Sequence, residues 1–269
     1  DLGHTPFGHA GEDILNECMN SYGGFDHNIQ TVRIVTVLEN RYYNFRGLNL
    51  SIETLDGMIK HNGPINDLKE LSNILGKNFF KNKINFRESP SLESQIASIS
   101  DDIAYNSHDL EDGLKANLFK IEDLKNIPIL SEIILKYKNK LKKQNKPELF
   151  IRQIIRDIIN EMVNDVINNT KKNLKIQKII KFRDVNKSNM PIVCFSEKMN
   201  SFDNTIKDFL MTNMYLSKNV LKKTNKGKKI IYFLFNHIKK NSKKFLKKIN
   251  IEKNNPERNI CDFIAGMTD

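Results

Sequence analysis

Residues 151–167 read IRQIIRDIINEMVNDVI, and this stretch decides the fold class. Its apolar side chains recur at the i, i+3, i+4, i+7 spacing that is typical of an amphipathic α-helix. The positions on this apolar face are Ile151, Ile154, Ile155, Ile158, Ile159, Met162, Val163, Val166 and Ile167. Strand-like alternation is confined to a few residues near 192–195. The sequence therefore predicts an all-α protein with at most a minor short β element.

The same helical spacing recurs along much of the chain. Helices are predicted over residues 93–113, 203–220 and 228–247, from Pro128 to about 137–148, and in shorter pieces that begin near Gly8 and just after His27. Glycines and prolines favour short helices and loops over 45–65, and a polar composition predicts an exposed loop over 80–92. Residues 185–201 are the least regular part of the chain.

Composition points to anionic partners. The 269 residues carry a formal net charge of +11, which favours binding to nucleotides, nucleic acid or a membrane surface. A bias in the coding DNA toward Lys, Asn and Ile codons explains the same charge without a partner. The three cysteines are far apart and form no CxxC pair, which fits a reducing cytosol and predicts a cytoplasmic protein. No apolar run reaches the roughly 20 residues that span a bilayer, so no membrane partner is predicted.

The basic region 218–253 supports two interpretations. Its lysine pairs are interleaved with Tyr232, Phe233, Phe235 and Phe245, a pattern that can bind single-stranded nucleic acid. The more common meaning of such a pattern is an amphipathic helix with aromatic side chains inward and lysines outward. We adopt the second interpretation and keep single-stranded nucleic acid as a possible partner.

The first candidate for chemistry is residues 1–12, which read DLGHTPFGHAGE. Glycines and a proline prevent a regular helix in its first half, so His4 is presented from a turn. A helix that begins in its second half places His9 and Glu12 on one face at i, i+3. A carboxylate beside an imidazole fixes its tautomer and raises its pKa, as general acid–base catalysis requires. His27 supplies a third imidazole after a Gly-Gly break.

The second candidate lies on the predicted helix 93–113. Asp101, Tyr105 and Asp109 are spaced i, i+4, i+8 and fall within a sector of roughly 80°. The opposite side carries Ile96, Ile99, Ile103 and Leu110. Such a stripe can place a carboxylate on a metal ion and an aromatic ring against a sugar. A solvated acidic face has the same composition, so the stripe alone leaves both meanings open.

Together with several further motifs, these two groups resemble the HD-domain triphosphohydrolases that act on deoxynucleoside triphosphates, the deoxyguanosinetriphosphate triphosphohydrolase-like family. The further motifs are GFDHN at 24–28, LENRY at 38–42, GLNL at 47–50, KHNGP at 60–64, SDDIAYNSHDLED at 100–112 and DFIAGMTD at 262–269. The resemblance spans the whole chain. It implies a multi-helix HD-domain fold, with a phosphohydrolase core over 1–135 that lacks its N-terminal part. Residues 136–269 form the helical C-terminal part of the same hydrolase.

The resemblance also implies an activity and a metal. The family hydrolyses deoxynucleoside triphosphates such as dGTP at the α-phosphorus and releases the deoxynucleoside and intact triphosphate. Its divalent metal is Mg²⁺, Mn²⁺ or another transition metal, and the ligands that map onto this chain are Asp1 and Asp101. Two histidine ligands are expected to precede residue 1. The 269-residue chain is therefore expected to be an inactive truncated form of an active hydrolase.

Residue roles follow from the same resemblance. His9 and Glu12 are the acid–base pair, His4 contacts the phosphates or relays a proton, and His27 supports catalysis. On the substrate side, the implied contacts are Tyr105 with the deoxyribose, Asp109 with the 3′-hydroxyl, Lys207 with phosphate, and Tyr215 with sugar or base. Some relatives carry a lysine where this chain has Asp102, so one phosphate contact is absent there. Relatives assemble into homo-oligomers, and we expect the same here.

Two other functions remain open at this stage. One is an inactive truncated relative that binds nucleotide or nucleic acid. The other is a different HD-type nucleotide phosphohydrolase, such as a nucleotidase or a cyclic-dinucleotide phosphodiesterase. The stripe of Asp101, Tyr105 and Asp109 favours the triphosphohydrolase over the latter, because it matches a sugar contact.

Overall fold

The structure is a computed structural model that describes residues 2–76, 84–141, 147–246 and 255–268. Within these residues all regular structure is helical and no strand occurs, so the predicted all-α class is confirmed. The α-helices are α1 (Gly8–Met19), α2 (His27–Arg33), α3 (Ile52–Ile59), α4 (Lys69–Leu75), α5 (Leu92–Lys115), α6 (Pro128–Leu141), α7 (Pro147–Ile176), α8 (Phe182–Lys187), α9 (Glu197–Leu210), α10 (Lys218–Lys240), α11 (Ser242–Phe245) and α12 (Pro256–Ala265). Short 3₁₀ turns lie at Asn20–Tyr22 and Ile121–Asn126, and π-helical turns at Ile34–Leu38 and Met211–Tyr215.

Side-chain caps explain where several helices begin. Ser91 and Ser196 accept hydrogen bonds from the backbone three residues later and start α5 and α9. Asp26 does the same for α2. The predicted helices over 93–113 and 151–167 are confirmed within α5 and α7, as are the shorter ones that begin near Gly8 and after His27.

The predicted limits of the last long helices were wrong. The helix expected over 203–220 begins earlier, at Glu197, and changes to a π-helical turn after Leu210. The helix expected over 228–247 begins at Lys218 and ends at Lys240. Gly227 does not interrupt it, because the ring of Phe7 packs against this glycine: a Cβ there would lie 2.7 Å from Phe7 Cγ. Contact with a ring thus overrides the low helix propensity of glycine.

Two irregular regions also differ from expectation. The strand signal near 192–195 gives no strand, because the backbone N–H groups of Ile192 and Val193 both donate to the Gln95 side chain, at 2.9 and 3.0 Å. Residues 185–201 contain the end of α8 and the start of α9. The loop expected to be exposed over 80–92 buries Ile84 and Ser89; residues 80–83 lie outside the described residues.

The chain forms two compact units, which are described separately. The first comprises Asp1–Glu88 and Lys222–Asp269, and the second comprises Ser89–Leu221. In the first unit one apolar core joins α1, α10 and α12, and another joins α2, α3 and α4. In the second unit a single core joins α5, α6, α7 and α9. The domain boundary predicted at 135/136 was drawn from family motifs and not from packing, and it stays a prediction.

The basic helix α10 only partly matches the predicted amphipathic helix, in which all aromatic side chains point inward. Phe235 is buried, but Tyr232 is 54% exposed and Phe233 is 65% exposed, so aromatic side chains face outward as well as inward. In the part of the chain that the structure describes, no helix combines the length and apolarity needed to cross a membrane. Cys18, Cys194 and Cys261 are all free thiols.

Candidate active site

The turn before α1 holds His4 close to the start of α2. Phe7 and Gly8 both adopt left-handed backbone angles, with φ of 64° and 55°. Gly3 approaches α2 so closely that a Cβ atom there would lie 2.0 Å from the carbonyl oxygen of His27. Its backbone N–H donates to the Thr31 hydroxyl at 2.9 Å. Only glycine fits this contact, so the turn is fixed against the helix that carries His27.

His27 is positioned as the first residue of α2. Gly23 and Gly24 precede it with φ of 101° and 77°, which reverse the chain after α1. Asp26 then caps the helix by accepting from the backbone N–H of Ile29 at 2.8 Å. The predicted Gly-Gly break is confirmed, and it delivers His27 to the side chain of Glu12.

Glu12 binds both the side chain and the main chain of His27. Its Oε1 accepts from His27 Nδ1 at 2.8 Å and from the His27 backbone N–H at 2.9 Å, while Oε2 lies 3.0 Å from the same ring nitrogen. The sequence paired Glu12 with His9. The structure corrects this pairing, because the turn at Gly23 and Gly24 brings a more distant imidazole to the carboxylate.

The three imidazoles form one cluster. His4 stacks on His27 with ring centroids 4.2 Å apart and planes inclined by 16°. His9 lies edge-on to both, at 5.1 Å from His4 and 5.7 Å from His27. His9 is exposed, whereas the other two histidines and Glu12 are half-buried. The structure therefore brings together all four catalytic residues predicted in this region, and leaves His9 facing solvent.

The environments of the stacked imidazoles push their pKa values apart. The hydrogen bond to Glu12 raises the pKa of His27 above its ordinary value, against an opposing effect of burial. Burial lowers the pKa of His4, and the neighbouring imidazoles His27 and His9 lower it further. Burial alone would raise the pKa of Glu12, but the hydrogen bonds from His27 hold it below its usual range. The environment therefore favours the charged forms of Glu12 and His27 and the neutral form of His4.

This cluster fits proton transfer better than metal binding. Ligand atoms of His4, Glu12 and His27 all lie within 4.8 Å of one another, which is close enough to suggest a metal. An imidazole, however, binds a metal through an in-plane lone pair at about 2.0–2.1 Å. Two rings stacked nearly parallel cannot both direct such a lone pair at one ion. The stacked rings therefore favour an acid–base role.

A second group of predicted residues meets in the other unit. Tyr105 and Asp109 lie on α5, and the Tyr215 hydroxyl donates a short hydrogen bond to Asp109 Oδ2. Burial raises the pKa of Asp109, although the Tyr215 hydrogen bond opposes this. Burial and the contacts with Asp109 and Tyr105 raise the pKa of Tyr215. Tyr105 is 46% exposed, so its ring is open to a ligand.

Lys207 lies in a separate polar network of the same unit. Its Nζ contacts Asp203 Oδ2 at 2.8 Å and Asp102 Oδ1 at 3.3 Å. Asp203 is buried and also accepts from Asn106 Nδ2 at 2.7 Å. Burial alone would lower the pKa of Lys207, but the two carboxylates raise it. Some relatives are expected to carry a lysine at the position of Asp102. In this protein Asp102 forms an ion pair with Lys207.

Of the two predicted metal ligands, the structure describes Asp101 but not Asp1. Asp101 lies on α5 one turn before Tyr105, and its side chain is exposed. Asp1 lies outside the described residues. Of the apolar positions expected opposite the stripe, Ile103 and Leu110 are buried, whereas Ile96 is 50% exposed. The stripe is therefore confirmed as a face of α5, and its role as a ligand site stays a prediction.

Sequence reasoning missed the buried charges that surround the start of α2. Arg33 and Asp262 form an ion pair with an Nη2–Oδ2 distance of 2.7 Å, and Arg258 donates to the Gly24 carbonyl at 2.6 Å. Asp262 is the first residue of the DFIAGMTD motif, so the sequence marked it as part of a family motif but assigned it no role. Nothing in the sequence indicates the contact of Arg258 with residues more than two hundred positions earlier.

Comparison with known proteins identifies the family. Residues 193–269 match the family model described as a phosphohydrolase-associated domain. The chain is 54% identical over 269 residues to a deoxyguanosinetriphosphate triphosphohydrolase-like protein of Pelagibacter ubique, covering 100% of this chain and 72% of that protein. Proteins of the same name from Rickettsia typhi and Parvibaculum lavamentivorans are 40% and 37% identical, over 100% of this chain and 71% and 70% of their own lengths. The chain belongs to the deoxyguanosinetriphosphate triphosphohydrolase-like family of HD-domain phosphohydrolases.

Proposed function

We propose that this protein hydrolyses deoxynucleoside triphosphates, with dGTP as the type substrate, to the deoxynucleoside and triphosphate. The observation that carries the proposal is the cluster of His4, Glu12 and His27, in which Glu12 binds one imidazole and raises its pKa, while the pKa of the stacked neighbour is lowered. A site that holds an acid and a base side by side suits the transfer of a phosphoryl group to water. The relatives' names support the choice of substrate.

Each imidazole has a distinct role in this proposal. His27, fixed by Glu12, carries the positive charge that offsets charge developing on the phosphate oxygens. His4, held neutral, accepts a proton, and the exposed His9 contacts the triphosphate or protonates the leaving 5′ oxygen. This assignment moves the carboxylate-supported role from His9 to His27.

The second group supplies sugar recognition. Tyr105 presents an open ring for the deoxyribose, where an added 2′-hydroxyl meets the ring. Asp109 accepts from the 3′-hydroxyl, with the Tyr215 hydroxyl holding its carboxylate. Lys207 binds phosphate once its two carboxylate partners are displaced or shared.

A divalent metal, Mg²⁺, Mn²⁺ or another transition metal, belongs to this proposal. Asp101 fits it as one hard oxygen ligand, because its carboxylate is exposed on α5, and Asp1 is the second proposed ligand. Bound there, the metal polarises a phosphoryl oxygen and lowers the pKa of bound water. A single carboxylate among the described residues is a weak site, so further ligands are required for tight binding.

The proposal is tested by product analysis. The protein is incubated with dGTP and Mn²⁺ or Mg²⁺, and the products are separated by ion-exchange chromatography. Deoxyguanosine and triphosphate in equal amounts support the proposal, and GTP should be a poorer substrate than dGTP. Formation of dGMP with pyrophosphate, or release of orthophosphate, would instead assign a different nucleotide phosphohydrolase.

Binding measurements separate the non-catalytic alternative. If the 269-residue chain yields no product, calorimetric titration with dGTP and GTP decides between two outcomes. Preferential binding of dGTP without turnover assigns a nucleotide-binding relative. Loss of that preference in Tyr105→Ala is then expected, because the ring at that position discriminates the sugar. Absence of binding to either nucleotide refutes the proposal for this chain.

A second function, binding of single-stranded nucleic acid, is supported by α10. Lys222, Lys226, Lys229, Phe233 and Lys240 fall within a helical sector of roughly 60°. These side chains are exposed, so lysines for phosphates and a ring for base stacking share one face. Fluorescence anisotropy with a thymidine oligonucleotide tests it. We expect Phe233→Ala and Lys226→Ala to weaken salt-dependent binding, and Lys187→Ala, on another helix, to leave it unchanged.

A homo-oligomer in the cytoplasm completes the proposal. Several large apolar side chains of the second unit are exposed, namely Leu135, Ile176, Ile180, Phe182 and Met190. Such side chains are typical of surfaces that another subunit covers. Light scattering coupled to size-exclusion chromatography measures the mass, and a monomer at micromolar concentration would contradict this part of the proposal.

A further inference from the structure

Arg258 of α12 holds the chain just before His27. Its side chain is 2% exposed, and its Nη2 donates to the Gly24 carbonyl at 2.6 Å and to the Tyr22 carbonyl at 3.5 Å. Asn255, which caps α12, donates to the same Tyr22 carbonyl at 3.0 Å. These bonds tie the turn that leads into α2 to the start of α12.

Asp262, one helical turn later, holds the chain after His27. Its Oδ1 accepts from Arg33 Nε at 2.9 Å, its Oδ2 accepts from Arg33 Nη2 at 2.7 Å, and its Oδ1 also accepts from Gln30 Nε2 at 3.1 Å. The side chains of Arg33 and Asp262 are 2% and 3% exposed. The bidentate geometry fixes both the distance and the angle between α2 and α12.

The two contacts flank the segment that presents His27. Arg258 binds three residues before it, and Asp262 binds three and six residues after it. Glu12 accepts from both the ring and the backbone N–H of His27, so this pairing depends on the placement of the first turn of α2. A displacement of α2 relative to α1 therefore breaks two hydrogen bonds at once.

The stability of the fold alone does not explain why the charged side chains of Arg258, Arg33 and Asp262 are buried here. The apolar face of α12 already packs into a core through Ile260, Cys261 and Ile264. Buried ion pairs add little net stability over apolar side chains of similar size, because the charges lose their hydration. What a bidentate pair adds is a defined register between the two helices.

We infer that Arg258 and Asp262 are positioning residues, which set the start of α2 so that His27 meets Glu12. The inference rests on the proposed function, because it treats His27 as a catalytic group. The protein's last described helix thereby takes part in chemistry that its own side chains do not touch.

The test reads His27 directly. In the 269-residue chain with ¹³C- and ¹⁵N-labelled histidine, the ring resonance of His27 is followed against pH by NMR. Assignment uses His27→Gln, and Glu12→Gln gives the value without the carboxylate. Asp262→Asn is expected to lower the measured pKa of His27 by about 0.5 or more, toward the Glu12→Gln value. Arg258→Lys should act in the same direction and by less.

Two controls separate positioning from stability. Asp56→Asn breaks another ion pair of the same unit, in which the buried Lys60 Nζ lies 2.7 Å from Asp56 Oδ1. It should lower the melting temperature and leave the pKa of His27 unchanged. In a Glu12→Gln background, Asp262→Asn should cause no further change, because the two act through one contact.

Clear outcomes overturn the inference. If Asp262→Asn lowers the melting temperature and the pKa of His27 stays at its wild-type value, the ion pair is merely structural. If Asp262→Asn does not fold, two milder variants decide the question by the same measurement. Gln30→Met removes the amide hydrogen bond to Asp262 Oδ1 and leaves the ion pair with Arg33 in place. Asn255→Ala removes the bond to the Tyr22 carbonyl and the cap on the Arg258 backbone N–H. Because the signal is a resonance and not turnover, failure of dGTP hydrolysis refutes the proposed function separately.

Discussion

Two carboxylates of this protein, Glu12 and Asp109, lie in opposite environments. Glu12 faces the imidazole of His27, which holds its pKa below the usual range. Asp109 faces the hydroxyl of Tyr215, and burial raises its pKa. Both are half-buried, and each belongs to a different unit.

The difference lies in what each carboxylate offers a ligand. Glu12 raises the pKa of His27 and so favours a positive charge on this ring, which suits contact with phosphate. Asp109 accepts from the neutral hydroxyls of Tyr215 and Tyr105, an arrangement that suits a sugar hydroxyl. The same functional group therefore has a lowered pKa in one unit and a raised pKa in the other, and the proposed function assigns the two carboxylates different roles.

The largest expected effect follows from removing the charge at Glu12. Glu12→Gln should lower the rate of dGTP hydrolysis by about 10²- to 10⁴-fold, because His27 loses the anion that keeps it protonated. Glu17→Gln, an exposed position on the same helix, is the control and should retain full activity. Single-turnover rates at saturating dGTP measure both. Loss of less than tenfold in Glu12→Gln would remove this carboxylate from the catalytic mechanism.

A smaller effect is expected at the sugar group. Asp109→Asn and Tyr215→Phe should each raise the KM for dGTP by about tenfold, because a buried hydrogen bond to the 3′-hydroxyl is lost or misplaced. Their effects should not add, since the two side chains act as one pair. With 2′,3′-dideoxyguanosine triphosphate the variants should match the wild type. Equal losses on both substrates would mean that Asp109 does not recognise the 3′-hydroxyl.

Stability should change in opposite directions at the two carboxylates. The lowered pKa of Glu12 stabilises the fold above about pH 4.3, and the raised pKa of His27 stabilises it below about pH 6.5 and up to its folded value. Between these limits Glu12→Gln should lower the melting temperature by roughly 2–4 °C, with the difference shrinking as pH rises past the folded pKa of His27. The raised pKa of Asp109 instead costs stability at pH values above about 3.9, where the carboxyl ionises more readily in the unfolded chain.

Asp109→Asn is the matched change, because it also replaces a carboxylate by an amide. It should leave the melting temperature at pH 7 unchanged or higher, since the amide oxygen still accepts from Tyr215 without a buried charge. Differential scanning fluorimetry from pH 4 to 9 on both variants checks the pair. Destabilisation of the same size in both variants would show that the two environments do not differ as described.

The smallest effect is expected at Asp102. Its contact with Lys207 is an exposed ion pair of the kind that contributes about 0–1 kcal/mol. Asp102→Asn should therefore leave the melting temperature within about 2 °C of the wild type. It should also tighten the binding of inorganic triphosphate a few-fold, because Lys207 loses one competing anion. Weaker binding measured by calorimetry would exclude Lys207 from phosphate recognition.

The sequence predicted best what depends on local spacing. The stripe of Asp101, Tyr105 and Asp109 could be placed on one face of a helix, because i, i+4, i+8 spacing fixes it without tertiary contacts. The cluster of histidines was also found, because its residues are dense in the chain. The pairing of Glu12 with His27 was not, since it depends on how the Gly-Gly turn folds back on α1.

Errors at the helix limits have the same origin. The helix predicted to begin at residue 228 begins at Lys218 and runs through Gly227, against which the ring of the distant Phe7 packs. Tyr232 and Phe233 read as inward-facing aromatics, and the turn of the helix points them outward. Spacing along the chain gives a helix and its faces, whereas distant contacts decide which face is covered and where the helix ends.

The bonds from Arg258 and Asp262 also impose an order on biosynthesis. More than two hundred residues separate His27 from these partners. At a translation rate of about 5–20 residues per second, roughly ten to fifty seconds pass between the two. During that interval the nascent chain carries its histidines while Arg33 still lacks the carboxylate that accepts its hydrogen bonds. The cluster therefore gains these supports only after residue 262 has been synthesised, and a ribosome that stalls before residue 255 releases a polypeptide that lacks both of them.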